Sequence, residues 1–124
     1  MKILVVDDEK DVITLFQQRF RKEIRDGIFN FNFSHSGEQA LTFLSEQNQE
    51  AILILSDINM PGMSGIELLK NIRTSSVNPQ PIIMMITAYG DKENYDQAMA
   101  LGADDFLNKP LDFNSLKEKL TNLI

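Results

Sequence analysis

The sequence predicts an α/β domain on a parallel sheet, and three observations carry that prediction. Five short apolar runs alternate with five segments whose apolar residues recur at helical spacing, the signature of successive strand–helix units. Three of the runs, Ile3–Val6, Ile52–Leu55 and Ile82–Ile86, are continuously apolar, as in strands covered by helices on both faces. Turn formers bound them, above all in ILSDINMPG (residues 54–62), where an apolar run ends in Ser56 and Asp57 before Asn59, Pro61 and Gly62.

The elements follow in order. After the first strand, residues 10–22 space Val12, Leu15, Phe16 and Phe20 at helical intervals. Residues 28–33 alternate strictly, Phe29, Phe31 and Phe33 against Ile28, Asn30 and Asn32, in the period of a strand with one wet face. Residues 37–47 form a helix with Ala40, Leu41 and Leu44 on one side. The third strand, whose apolar run begins at Ala51, is followed by a helix over 64–73 carrying Ile66, Leu68, Leu69 and Ile72. Pro79 and Pro81 frame the fourth strand, and a fourth helix over 91–101 closes on Gly102. A weaker fifth strand spans 103–107, with Asp104 and Asp105 at its start. Asp112 or Asn114 then caps a last helix through Leu116 and Leu120.

The half-polar second strand and the acidic fifth strand belong at the sheet edges. Right-handed crossovers then favour the order 2-1-3-4-5 with helices on both faces. That order reverses direction between strands 1 and 3, and ligands of such sheets bind at the carboxyl ends beside the reversal.

Size and composition narrow the function. At 124 residues, residues 1–124 are expected to form one domain, and no repeat or linker divides them. With 43% apolar and 24% charged residues the composition is that of a globular chain. A net charge of −6 argues against direct nucleic-acid binding. Absence of cysteine excludes disulfides and thiolate chemistry, and suits a cytoplasmic location. The apolar runs are too short for a membrane span, and the start lacks the pattern of a signal peptide, so no membrane partner is expected.

What lies at the strand ends is chemistry. The first strand ends in Asp7-Asp8 and the third in Asp57, so three carboxylates converge at the reversal. Carboxylates this close repel unless a cation or proton intervenes, and Mg²⁺ suits an all-oxygen site that also leaves room for phosphate oxygens. The fourth strand ends in Thr87 and the fifth runs to Lys109-Pro110, which adds a hydroxyl and an amine to the same rim. Each residue has a plainer role: Asp7 or Asp8 capping the first helix, Asp57 a turn, Thr87 a strand end, Lys109 the surface, Phe106 the core. It is their occurrence together, in register, that points to a phosphoryl and Mg²⁺ site.

Four segments, VVDDE, SDINMPGMSGIELL, ITAYG and GADDFLNKPL, in this order and spacing, resemble the receiver domain of bacterial two-component response regulators over the whole chain. The resemblance implies a flavodoxin-like doubly wound fold like that of chemotaxis regulators, and a phosphoacceptor switch rather than an enzyme. It implies that Asp57 is the phosphoacceptor, served by a histidine kinase or histidine phosphotransferase. Asp8, Asp57 and the backbone carbonyl of Asn59 would hold Mg²⁺, with Asp7 acting through water. Lys109 would pair with the phosphoryl group, Thr87 would swing towards it, and Phe106 would turn inward with Thr87. The face of the fourth helix and fifth strand would then meet a downstream protein target, the rest of a larger protein, or a second copy in a phosphorylation-dependent dimer. Asn59 and Tyr89 would flank the hydrolytic water and tune the phosphoryl lifetime.

Rival readings fit less well. A haloacid-dehalogenase-like phosphohydrolase needs an acid where Asn59 stands, and also a cap domain. A flavin carrier needs a phosphate loop where Asp7-Asp8-Glu9 would repel phosphate. An unphosphorylated interaction module leaves the intact acids unexplained. Other prominent residues are expected to be plain: His35 in a solvent-facing loop, Met84 and Met85 in the core, Phe29, Phe31 and Phe33 on one face of an edge strand, and RFRKEIR (19–25) on the solvated face of the first helix.

Overall fold

In the computed structural model of the chain, residues 1–46, 52–76, 78–88 and 91–123 are described. The strands β1 (Lys2–Val6), β2 (Asn30–Ser34), β3 (Ile52–Asp57), β4 (Ile82–Ala88) and β5 (Asp105–Lys109) form one sheet in the order β2-β1-β3-β4-β5. Every neighbouring pair is parallel. The helices are α1 (Asp11–Arg19), α2 (Arg21–Arg25), α3 (Gly37–Ser45), α4 (Gly65–Arg73), α5 (Lys92–Ala100) and α6 (Phe113–Thr121).

The period of two divides each central strand between two cores. Leu4, Val6, Ile54, Ile83 and Met85 meet Ala40 and Leu44 of α3, Leu68, Leu69 and Ile72 of α4, and Ala98 of α5. Their neighbours Ile3, Val5, Leu53, Leu55, Met84 and Ile86 meet Phe16 of α1, Phe20, and Leu116 and Leu120 of α6. Each of the larger side chains, Val, Leu, Ile, Met or Phe, contributes about 1.5–3 kcal/mol by leaving water. Ser36, Ser64, Asp91 and Asp112 cap α3, α4, α5 and α6 through their side-chain oxygens. Each cap is typically worth about 1 kcal/mol.

Four details depart from expectation. The first helix breaks at Phe20, whose φ of −112° and ψ of 22° end α1, and whose ring is fully buried. RFRKEIR is therefore the last residue of α1, the core residue Phe20 and the whole of α2, and it is solvated as expected except at Phe20 and half-buried Glu23. Neither Asp7 nor Asp8 caps α1: its N-cap is Lys10, without a side-chain bond. The second strand starts at Asn30, with Phe29 buried just before it and packed on Phe20. The fifth strand is shifted two residues onwards, to 105–109, which makes Lys109 its last residue. Met84 and Met85 are buried, and Gly102 (φ 97°) follows α5 as a C-terminal cap.

Candidate functional site

The strand register brings the acids together. Val6 pairs with Ser56, so Asp7 and Asp57 stand side by side at the carboxyl ends of β1 and β3. Oxygens of Asp7, Asp8 and Asp57 lie within 4.8 Å of one another, and Asp8 is exposed while the other two are buried. Ala88 pairs with Lys109 and Thr87 with Asn108, which puts the hydroxyl and the amine on the same rim.

Asp57 is only 4% exposed, and its carboxylate has two partners among the described residues. Lys109 Nζ donates to Oδ2 at 3.0 Å, and the Asn59 N–H lies 3.4 Å from Oδ1. Behind it the chain is pinned: Ile58 N donates to Ile86 O at 3.0 Å, and Gly65 N donates to Ile58 O at 2.9 Å. Gly65 was not singled out from the sequence, yet the site depends on it. A Cβ there would collide with the Asp57 carbonyl oxygen and lie 2.8 Å from Ile58 Cα. The signal was a glycine directly after a capping serine, a position where most residues serve equally well.

The electrostatics are unbalanced. Burial pushes the Asp7 carboxyl above its usual range, against the Glu9 N–H that donates to its Oδ1 at 2.9 Å; the Asp57 charge pushes the same way. Burial alone would lower the Lys109 ammonium, but the hydrogen bond and charge of Asp57, with Asp7 and Glu9 beyond, hold it above its ordinary value. Lys109 therefore remains a cation, and among the described residues it alone is salt-bridged to any of the three acids. Hard oxygen donors, clustered and under-neutralised, fit a hard divalent ion such as Mg²⁺.

Thr87 is fully buried, and its hydroxyl has no hydrogen-bond partner among the described residues. Leaving such a group unmatched typically costs about 1–3 kcal/mol. Phe106 is half-buried and stacks edge-to-face on exposed Tyr95 of α5, with centroids 5.1 Å apart. The two rings border a cavity of about 270 Å³ shared with Asp91, Lys92 and Asn108. Asn59 is exposed beside Asp57, while Tyr89 lies outside the described residues. His35 departs from its expected place in solvent: it is half-buried, with Nδ1 3.2 Å from the Asp7 carbonyl oxygen.

A doubly wound parallel sheet with acids and a lysine at its switch point belongs to the class of α/β proteins that bind ligands at the carboxyl ends of their strands. Within it, this chain belongs to the response regulator receiver domain family, whose pattern it matches over residues 3–121. It is 38% identical over 118 residues to the transcriptional regulatory protein ZraR of Escherichia coli, covering 95% of this chain and 25% of that protein. It is 32% identical over 124 residues to a cyclic di-GMP phosphodiesterase of Thermotoga maritima, covering 100% of this chain and 31% of the relative. Among solved structures, the chemotaxis protein CheY4 of Vibrio cholerae superposes with a TM-score of 0.81 at 27% identity, covering 99% of this chain and 98% of that one. The chain thus spans only a quarter to a third of the length of these two curated relatives. Chemotaxis regulators are themselves a type example of this strand order. Membership places the chain in two-component signalling, in which receiver domains work with histidine kinases and downstream effectors. No helix among the described residues is long and apolar enough to cross a membrane.

Proposed function

We propose that residues 1–124 act as one receiver domain that takes a phosphoryl group onto Asp57 from a phosphohistidine of a kinase or phosphotransferase. One observation carries the reading: a nearly buried carboxylate, salt-bridged to Lys109 at 3.0 Å, sits within 4.8 Å of two further acids at the end of a central strand. In the transfer, an Asp57 oxygen forms a bond to phosphorus as the phosphorus–nitrogen bond to the donor imidazole breaks. The rigid β3 end holds the nucleophile in line, so positioning and charge neutralisation replace any separate acid or base.

Asp8, Asp57 and the carbonyl of Asn59 would hold Mg²⁺, with Asp7 acting through water. The ion, when bound, neutralises carboxylate and phosphoryl oxygens that repel each other. Lys109, already beside Oδ2, shifts its hydrogen bond to the incoming phosphoryl oxygens. The unmatched Thr87 hydroxyl supplies a donor for the same group. Its movement frees space for Phe106 to leave Tyr95 and turn inward, which changes the α5–β5 face offered to a target, to further domains, or to a second copy. This is a bias on a two-state element by about −1.5 to −2 new charges. Asn59 and Tyr89 would set how readily water removes the phosphoryl group. The chain so read is a cytoplasmic switch rather than an enzyme with a free substrate. Relatives with different outputs, a transcriptional regulator and a phosphodiesterase among them, suit one switch serving several effectors.

The test is intact-mass analysis after incubation with acetyl phosphate, with and without Mg²⁺, beside Asp57→Asn. A single phosphoryl adduct that needs Mg²⁺ and is absent from the variant is expected. No adduct on folded protein would overturn the reading in favour of a non-phosphorylated binding module.

A further inference from the structure

We infer that His35 is a positioning residue for the metal-binding acids: its imidazole braces the backbone of Asp7 from the β2–α3 turn. The inference rests on the metal-assisted reading of the acid cluster. Val6 is the last β1 residue in the ladder, and the chain carrying Asp7, Asp8 and Glu9 leaves the sheet immediately after it. At that point Asp7 is held at three places. Its N–H donates to Ser34 O at 3.0 Å, its Oδ1 accepts from Glu9 N at 2.9 Å, and its carbonyl oxygen lies 3.2 Å from His35 Nδ1. Two consecutive residues at the end of β2 thus hold both backbone groups of one acid.

A carbonyl oxygen only accepts, so this contact requires the proton on Nδ1. The neutral ring meets that condition as its Nδ1–H tautomer, and the imidazolium meets it in any case. The imidazole is itself placed by the start of α3. His35 N donates to Gln39 Oε1 at 2.8 Å, while Ser36 Oγ accepts from Gln39 N at 3.1 Å. The cap of a helix therefore doubles as the mount for the brace.

The acids push one another apart, and a β1–α1 turn held only by its own residues would yield to that push. Bracing Asp7 keeps the carboxylates converged before the ion arrives, so less ordering remains for binding to supply. Partners of this indirect kind typically alter metal affinity by 10- to 100-fold. His35 reaches the carboxylate through the main chain, so the low end, about tenfold, is expected.

His35 is the single histidine of the chain, which makes the direct test unambiguous. Long-range ¹H–¹⁵N spectra at alkaline pH should show the Nδ1–H tautomer, opposite to the preference of free histidine in water. Mg²⁺ titrations followed by amide shifts then compare the wild type with His35→Ala, His35→Asn and His35→Gln, with urea midpoints recorded for each. Asn places its amide nitrogen where Nδ1 stands, and Gln places it nearer Nε2. The Mg²⁺ dissociation constant should rise about tenfold in the Ala variant, recover with Asn, and not recover with Gln. The Nε2–H tautomer, an unchanged constant in the Ala variant, or equal rescue by Asn and Gln would each overturn the brace. A wild type that binds no Mg²⁺ overturns the metal reading along with it, an outcome distinct from equal binding in wild type and variant.

Discussion

The two ends of the sheet are built on opposite principles. At the carboxyl end, Asp7 and Asp57 are buried side by side with one lysine between them and solvent, and the buried Thr87 hydroxyl faces no partner among the described residues. At the opposite end, Arg73 at the close of α4 spends its guanidinium on four acceptors. Nε donates to Gly102 O at 2.9 Å, Nη1 to Pro81 O at 2.8 Å and Gln80 Oε1 at 3.1 Å, and Nη2 to Asp104 Oδ2 at 2.9 Å. Asp104 in turn accepts from Ile83 N at 2.8 Å, so one fork ties α4 to the segments entering β4 and β5. One end satisfies its polar groups and holds the fold. The other leaves charge and a hydroxyl unmatched, the condition in which a new ligand has the most to gain.

The sharpest way to break this contrast is Gly65→Ala, because Gly65 belongs to both the fold and the site. The added methyl meets the backbone of Asp57 and Ile58, which packed structure cannot move cheaply. A loss of about 3 kcal/mol in urea unfolding is expected, together with slower phosphoryl uptake because the displaced carbonyl belongs to Asp57. Unchanged stability would mean that the α4 start has room to shift. Next is Arg73→Ala, expected to cost about 2 kcal/mol. The figure is kept modest because Asp104 is half exposed and its ion pair correspondingly screened. Magnesium affinity should stay at the wild-type value, and a parallel loss of affinity would show that the two ends are coupled after all.

The smallest expected effect has the opposite sign. Asp7→Asn should stabilise the metal-free protein by roughly 1 kcal/mol at neutral pH, since it removes a buried charge and keeps an acceptor for Glu9 N. The pH dependence follows from the raised carboxyl of Asp7. A group raised in the folded state adds stability fully present below its unfolded value near 3.8, and that stability is lost as pH rises through the folded value. The advantage of the Asn variant should therefore be full at neutral pH and shrink as acid protonates Asp7 in the wild type. Urea midpoints at pH 7 and across the acid range check this; an advantage that does not vary with pH would place the strain elsewhere.

Much of this protein was legible in its sequence. Short apolar runs bounded by turn formers and alternating with helical segments made the sheet legible, and the half-polar second strand and acidic fifth strand made its edges and order legible. The acids, Thr87 and Lys109 were legible as well, since a parallel sheet sends every strand end to the same rim. Tertiary structure alone decided the rest. α1 stops at Phe20 within a helical pattern that the sequence carries on through residue 22, while the Phe20 ring stays buried beside Phe16. Gly65 and His35 look ordinary along the chain; their importance comes from the main chain of residues distant in sequence, which the fold brings against them. Local periodicity records which face of an element is buried, whereas the approach of one backbone to another is written only in the packing.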